Sequence, residues 1–425
     1  MIAVLRSNWT LLFGMLLLML GNGLQGTVLG VRGAMEGMSP TVISGVMSAY
    51  FVGLLIGARV APALIAQVGH VRVFAALAGL ISAAFILFPA APNPWVWAVM
   101  RLIVGFSFCG VYVVAESWLN DRATNETRGQ TMAAYMLVQM AGVIAAQALL
   151  NFGDPGGYTL FVIMTVLVSL ATTPILLSAS PAPAYQAAKR MTLRALFRVS
   201  PLGCVSTFAL GAMYAALFGM AGVYGVEAGL SIGRISIFVA SIYVGGFVMM
   251  YPIGWVSDRV DRRRLIVLLC VCGAGAALAA SAAPFWPLVA ATLIVGGAIN
   301  TLYSLAIAYT NDFLQPEDMA SASAGLLFLN GVGAVGGPLV VGLMMQKLGP
   351  GGFFLYLAVL LAAVGAYGLW RMTRRPARQA EESAPFAPVT MAASAVAVEA
   401  TREAVIEQIA ASHGGEGDDA PPKAA

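Results

Sequence analysis

This sequence predicts an all-α polytopic membrane protein, with twelve transmembrane helices as two six-helix pseudo-repeats. Three observations carry that expectation: apolar runs long enough to cross a bilayer, a scarcity of charge, and a motif that recurs at one fixed spacing. Of 425 residues, 60% are hydrophobic and only 10% charged, whereas soluble domains are about a quarter charged. The mean hydropathy is +0.85. Such a chain cannot clothe its surface for water. Runs of about twenty apolar residues cross a hydrocarbon core of about 30 Å as helices, which satisfy their backbone groups internally.

Breaking the chain at Gly, Pro and charge clusters places helices at 10–31, 41–65, 71–90, 95–119, 129–151, 158–178, 201–224, 232–256, 263–283, 285–310, 319–346 and 350–372. The first run follows Arg6. It is too long for the apolar part of a signal peptide and more spans follow, so it stands as the first helix. The four cysteines, Cys109, Cys204, Cys270 and Cys272, fall inside apolar runs without metal-ligand spacing. They read as small packing residues, and no metal or cofactor is expected.

The loops differ in charge. One side carries Arg6, Arg72, Arg122, Arg128, the cluster from Lys189 to Arg198, the cluster from Arg259 to Arg264 and that from Arg371 to Arg378. The other carries Arg32, Arg234 and Lys347, and its loops "APNP", "FGDPGGY" and "KLGPGG" are short turns built from Pro, Gly and Asn. Positive loops stay in the cytoplasm, which places both termini there. The net charge of +4 follows from this topology and requires no nucleic-acid partner. The expected units are a six-helix bundle over 1–180, a basic cytoplasmic linker over 181–200, a second bundle over 201–378 and a tail over 379–425. The tail is rich in Ala, Glu, Pro, Ser and Gly and reads as disordered. One stretch within it, "AVEATREAVIEQIAAS", has the pattern of a short amphipathic helix.

The repeat appears at the fourth and tenth helices. "LIVGFSFCGVYVVAESWLND" at 102–121 aligns with "LIVGGAINTLYSLAIAYTND" at 293–312, and Gly105/Gly296, Tyr112/Tyr303, Asn120/Asn311 and Asp121/Asp312 match at one spacing. A second correspondence links "PALIAQVGHVR" at 62–72 with "GWVSDRVDRRR" at 254–264. Two halves repeated in the same orientation are the design of a class of secondary transporters.

These residues resemble a known family. "GWVSDRVDRRR" is similar to the loop signature of the major facilitator superfamily, carried here by Gly254, Asp258, Arg259, Arg262 and Arg263, and "RLIVG" at 101–105 resembles its fourth-helix signature. The resemblance spans roughly residues 5–378, and "ESWLN…TRG" with "VGHVRVFAAL" is similar to its YcaD-type bacterial permeases. Two departures stand out. The first loop copy has Ala66 and Gln67 where the signature has its acid and Arg, and the fifth helix lacks the Gly-Pro pattern of the family's drug/proton antiporters. The resemblance implies a permease of the bacterial inner membrane that works by alternating access, with helices 1, 4, 7 and 10 lining a central cavity.

On those helices the polar residues suggest a substrate path. Arg101, Gly105, Tyr112 and Glu116 share about one face of the fourth helix. Asn22 and Gln25 share a face mid-way along the first, Asn300 and Tyr303 lie on the tenth, and Tyr214 on the seventh. Intramembrane charge is costly and by default faces protein or a water-filled path. The neutral residues have an equally simple reading as hydrogen bonds between helices. Arg101 has no mid-membrane acid as a partner, so an anionic ligand is one expectation and a structural Arg satisfied by carbonyls the other. Glu116, near Arg122 and Arg128, reads as part of a cytoplasmic ion-pair gate. The resemblance gives Asp258 a related role, paired with Arg and with the start of the fifth helix, "TNETRGQT", where the helix dipole favours an anion.

The reading is therefore a secondary transporter of a small organic solute, expected as a monomer in the lipid bilayer. Efflux of amphiphiles and transport of a carboxylate are both compatible. Proton coupling is implied by analogy, with Glu36 or Glu116 as the titratable candidates, and facilitated diffusion stays open. An enzyme would need a metal or nucleophile constellation that His70 and His413 do not supply. The other class is a non-transporting sensor or scaffold on the same fold.

Overall fold

The computed structural model describes residues 2–176, 191–374, 386, 388, 389, 393, 394, 396–398 and 400. Among these the regular secondary structure is helical. The first half comprises α1 (Ile2–Met35), α2 (Pro40–Val68), α3 (His70–Ala90), α4 (Pro94–Arg122), α5 (Asn125–Leu149) and α6 (Thr159–Leu176). A short helix, α7 (Leu193–Val199), lies in the linker. The second half comprises α8 (Pro201–Glu227), α9 (Ile232–Ser257), α10 (Arg262–Ala280), α11 (Phe285–Asn311), α12 (Pro316–Leu348) and α13 (Gly351–Met372). Eleven of the described helices are long and apolar enough to cross a membrane, and α6 is a shorter apolar one. Residues 181–190 of the linker, His413 and "GGEGDDAPPKAA" lie outside the described residues.

Local chemistry sets the boundaries. Ser39 and Asn93 cap α2 and α4 with side-chain acceptors, each followed by a proline at the first helical position, where no amide is needed. Gly69 separates α2 from α3 with φ 86°, a left-handed conformation that an L side chain resists. Within the linker, Thr192 caps α7 by accepting from the Ala195 amide at 3.3 Å.

The internal repeat has a packing cause. A Cβ on Gly105 would strike the Tyr50 carbonyl oxygen and one on Gly53 that of Leu102, so α2 and α4 cross with backbones in contact. In the second half Gly296 meets the carbonyl of Ile242 and Gly245 that of Leu293, at the corresponding positions of α9 and α11. Small residues permit this approach between membrane helices, where dispersion between close-packed surfaces drives association. A third crossing, α8 on α12, uses Gly211, Gly333 and Gly337.

The two halves meet at the end opposite the basic loops. There the Ser236 hydroxyl donates to the Gln147 carbonyl at 2.6 Å and Asn151 Nδ2 donates to Ser236 at 3.2 Å, joining α5 to α9. On the other flank Thr41 of α2 bonds Gln346 of α12. At the basic end the chain's own C-terminal segment enters between the halves. The tail read as disordered is buried at Val389, Ala393, Ser394, Ala397, Val398 and Ala400. Residues 396–398 and 400 are helical, and the remainder of the expected amphipathic stretch lies outside the described residues. Its buried backbone amides find hydrogen-bond partners inside the bundle, which composition alone does not reveal.

Candidate functional site

Arg101 sits on α4 in the centre of the bundle with 0% of its surface exposed. Its Nη1 donates to Gln25 Oε1 on α1 at 2.9 Å. The guanidinium carbon lies 4.5 Å from the centre of the Tyr50 ring and 5.9 Å from that of Phe218. Desolvated cation–π contacts of this kind are worth about 2 kcal/mol. Tyr50 comes from α2 and Phe218 from α8, so both halves surround the charge. Among the described residues, Nε and Nη2 have no hydrogen-bond partner, and neither does Gln25 Nε2. Nor does any carboxylate among them pair with Arg101.

The neighbouring polar groups are neutral. Asn22 Nδ2 donates to the Tyr112 hydroxyl at 3.0 Å, and that hydroxyl meets Met19 Sδ at 3.7 Å. Tyr214 stacks on Phe218 with centroids 6.2 Å apart and planes 17° from parallel. Asn22, Gln25, Arg101, Tyr112 and Tyr214 thus gather around Tyr50 and Phe218. No hydrogen bond among the described residues ties Asn300 or Tyr303 to this group. Asn300 Nδ2 turns back to the Gly296 carbonyl of its own helix at 2.9 Å and its side chain packs on Gly246 of α9. Tyr303 is fully buried with its hydroxyl unpartnered among the described residues.

The motif residues occupy the basic end. Arg262 is buried and bonds Asp312 at 2.5 Å, the Ala308 carbonyl at 3.3 Å and Ser257 at 3.2 Å, tying α10 to α11. Arg263 clasps Asp261 with two side-chain bonds of 3.1 and 2.8 Å. Burial of the Asp261 carboxyl opposes its ionisation, but the hydrogen bonds from Arg263 prevail and hold it below the ordinary carboxylate range. Arg259 lies over the Trp255 ring at 3.9 Å and donates to the Trp255 carbonyl. Arg128 Nε donates to Asn120 at 3.1 Å. In the first half, His70 falls at the repeat position of Arg262 and Asp121, the counterpart of Asp312, lies within its electrostatic reach.

Two residues read as gating meet the C-terminal segment in this structure. Glu116 is not in an ion pair among the described residues. Fully buried, it accepts from the Tyr135 hydroxyl at 3.0 Å and from the amide and hydroxyl of Ser394. In this state no hydrogen bond or ion pair among the described residues joins Asp258 to the start of α5, which is capped by its own Thr124 and Thr127. It lies 3.5 Å from Arg262 and accepts from the Phe386 amide at 2.7 Å. In both cases the tail supplies donors where the sequence suggested cations or a helix terminus.

A family model for the Major Facilitator Superfamily matches residues 11–247 and 203–409. The chain belongs to the major facilitator superfamily. Among relatives of this MFS protein, the MFS-type transporter YcaD of Escherichia fergusonii is 26% identical over 359 residues, which are 83% of this chain and 92% of that one. The MFS-type transporter YE1530 of Yersinia enterocolitica is 27% identical over 322 residues, 74% of this chain and 82% of that one. Among solved structures, the nucleoside transporter NupG superposes with TM-score 0.71 at 15% identity, covering 86% of this chain and 99% of that chain. A bacterial homologue of the human lysosomal transporter Spinster, in an inward-facing and unoccupied conformation, superposes with TM-score 0.64 at 16% identity, covering 94% and 98%. The protein is accordingly a multi-pass MFS transporter of the YcaD type.

Sequence reasoning missed Tyr50 and Phe218. An aromatic residue in an apolar helix looks like core until the partner helix brings a charge to its face.

Proposed function

We propose that this transporter moves a small organic anion, with a carboxylate as the recognised group, and that Arg101 is the fixed counter-charge. The observation that carries the reading is the pair Nε and Nη2, without a hydrogen-bond partner among the described residues, on a fully buried guanidinium. These two donors form one edge of the group, the edge that takes a carboxylate through two parallel hydrogen bonds. Tyr50, Phe218 and Tyr214 supply aromatic walls for the organic part of such a ligand, and Gln25 and Asn22 supply further polar contacts. In this reading the basic end faces the cytoplasm of a bacterial inner membrane, with both termini on that side. On the same reading the protein works by alternating access, in which the hydrogen bonds between the halves at the opposite end break as the basic end closes.

Proton coupling, if the cycle uses it, falls to Glu116. Glu36 is engaged by Arg32 at 2.7 Å near the opposite end, whereas Glu116 is buried among neutral donors. The test of the substrate class is the thermal stability of the purified protein against a panel of monocarboxylates, dicarboxylates, sugars and amphiphilic cations. A ligand at 100 times its Kd stabilises by about 2.7 kcal/mol. Stabilisation by anions in the wild type and its loss in Arg101→Ala is the expected result. Stabilisation by cations or sugars, or an unchanged anion response in the variant, overturns the assignment.

A further inference from the structure

We infer that the described residues of the C-terminal segment, Phe386, Val389, Ala393, Ser394 and 396–398 with Ala400, act as an autoinhibitory plug: they lie at the basic end of the bundle, between the two halves where these must close. The inference does not depend on the identity of the substrate. The segment is pinned at three stations that cross from one half to the other. At the first, the Phe386 ring packs on Gly254 of α9, where a Cβ would lie 2.6 Å from it, and the Phe386 amide donates to Asp258. At the second, the buried Ser304 hydroxyl of α11 donates to the Val389 carbonyl at 2.9 Å and accepts from the Val389 amide at 3.0 Å. At the third, the Ser394 amide reaches both oxygens of Glu116 on α4, at 3.3 and 3.1 Å, and its hydroxyl adds another bond.

The chemistry of these stations is specific to a main chain. Ordering a peptide costs conformational entropy at every residue, and each buried amide left unpaired adds a penalty. Here Phe386, Val389 and Ser394 place their amides on a carboxylate, a hydroxyl and a carboxylate. The bundle gains in return. Glu116 is fully buried with Tyr135 as its other side-chain donor, so Ser394 supplies bonds that a buried carboxylate requires. Ala393, Ala397 and Ala400 have side chains small enough for the backbone to pass between packed helices, and all three are buried. The plug also occupies Asp258, the acid of the loop signature, so the gate and the tail compete for one carboxylate. While the segment is seated, Ser304 of α11 and Glu116 of α4 cannot approach each other.

The seat is tested first in the full chain, with Cys272, the exposed native cysteine, replaced by Ser and a reporter introduced as Ala393→Cys. A membrane-impermeant maleimide should label this residue at least about tenfold more slowly in the native protein than after denaturation in SDS, because labelling requires local opening. Equal rates overturn the plug. The inhibitory role is tested by spin labels at Arg72→Cys and Arg264→Cys, one on each half at the basic end. Adding Val389→Asp and Ser394→Asp puts unpaired carboxylates into the seat, one of them facing Glu116. These changes should speed labelling at position 393 and add a population of shorter distances between the halves. A released tail with an unchanged distance distribution overturns autoinhibition while leaving the contact itself in place.

Discussion

At Arg101 the protein buries a cation with no paired acid among the described residues, and the charge is stabilised by Gln25, by two aromatic faces and, on our proposal, by the ligand. Replacing one partner of such a charge-assisted contact removes about 2–5 kcal/mol, so Arg101→Ala should weaken anion affinity at least 30-fold as read by thermal-shift titration, while Arg101→Lys should retain part of it. Arg262 makes a different prediction. Its pair with Asp312 is buried, and Asp312→Ala leaves the guanidinium with the longer contact to Asp258, at a cost of up to about 3 kcal/mol, measurable as a lowered Tm with or without ligand. Asp261 gives a pH dependence. Its folded-state pKa is depressed, so its contribution is present above the ordinary carboxylate pKa and is lost as pH falls through the folded value. Asp261→Asn should therefore flatten the acid limb of the stability profile. Much at this scale is legible in the sequence. Asn22, Gln25, Arg101 and Tyr112 stand out because polar groups in a membrane helix are costly. Asn300 carries the same signal for a different reason, since it bonds its own helix and packs on Gly246.

Among the elements, the decisive feature is the glycine-mediated crossing of α2 on α4 that α9 and α11 repeat in the second half. Gly105 and Gly296 match across the sequence repeat, and the physical reason for the match is contact with the carbonyls of Tyr50 and Ile242. A side chain at Gly296 must push α9 from α11, so Gly296→Leu should cost at least about 1–3 kcal/mol by overpacking. Its measurable consequence is a lowered Tm, larger than that for Gly275→Leu, a glycine with open space around it. Helix boundaries are legible because Ser39–Pro40 and Asn93–Pro94 are start signals that act locally. The seated tail is not. Before the amphipathic stretch that begins at Ala397, its sequence lacks periodicity, and its seat is made by Asp258, Ser304 and Glu116, which lie far apart along the chain.

For the whole molecule, the proposed alternating-access cycle takes this structure as one of its states, with the halves joined opposite the basic loops by Ser236, Gln147, Asn151, Thr41 and Gln346. A disulfide formed from Thr41→Cys and Gln346→Cys should join the halves readily and stop transport, with recovery on reduction; free turnover in the crosslinked protein contradicts the cycle. The sequence displays this architecture in its repeat and charge asymmetry, but the state is a matter of contacts between halves, which no local pattern encodes. The central claim remains that a buried, half-satisfied guanidinium selects an anion. Counterflow of a radiolabelled carboxylate from the thermal-shift panel, in proteoliposomes of wild type and Arg101→Gln, tests it most directly. The account predicts exchange in the wild type and its loss in a folded variant; exchange at the wild-type rate in Arg101→Gln would contradict it.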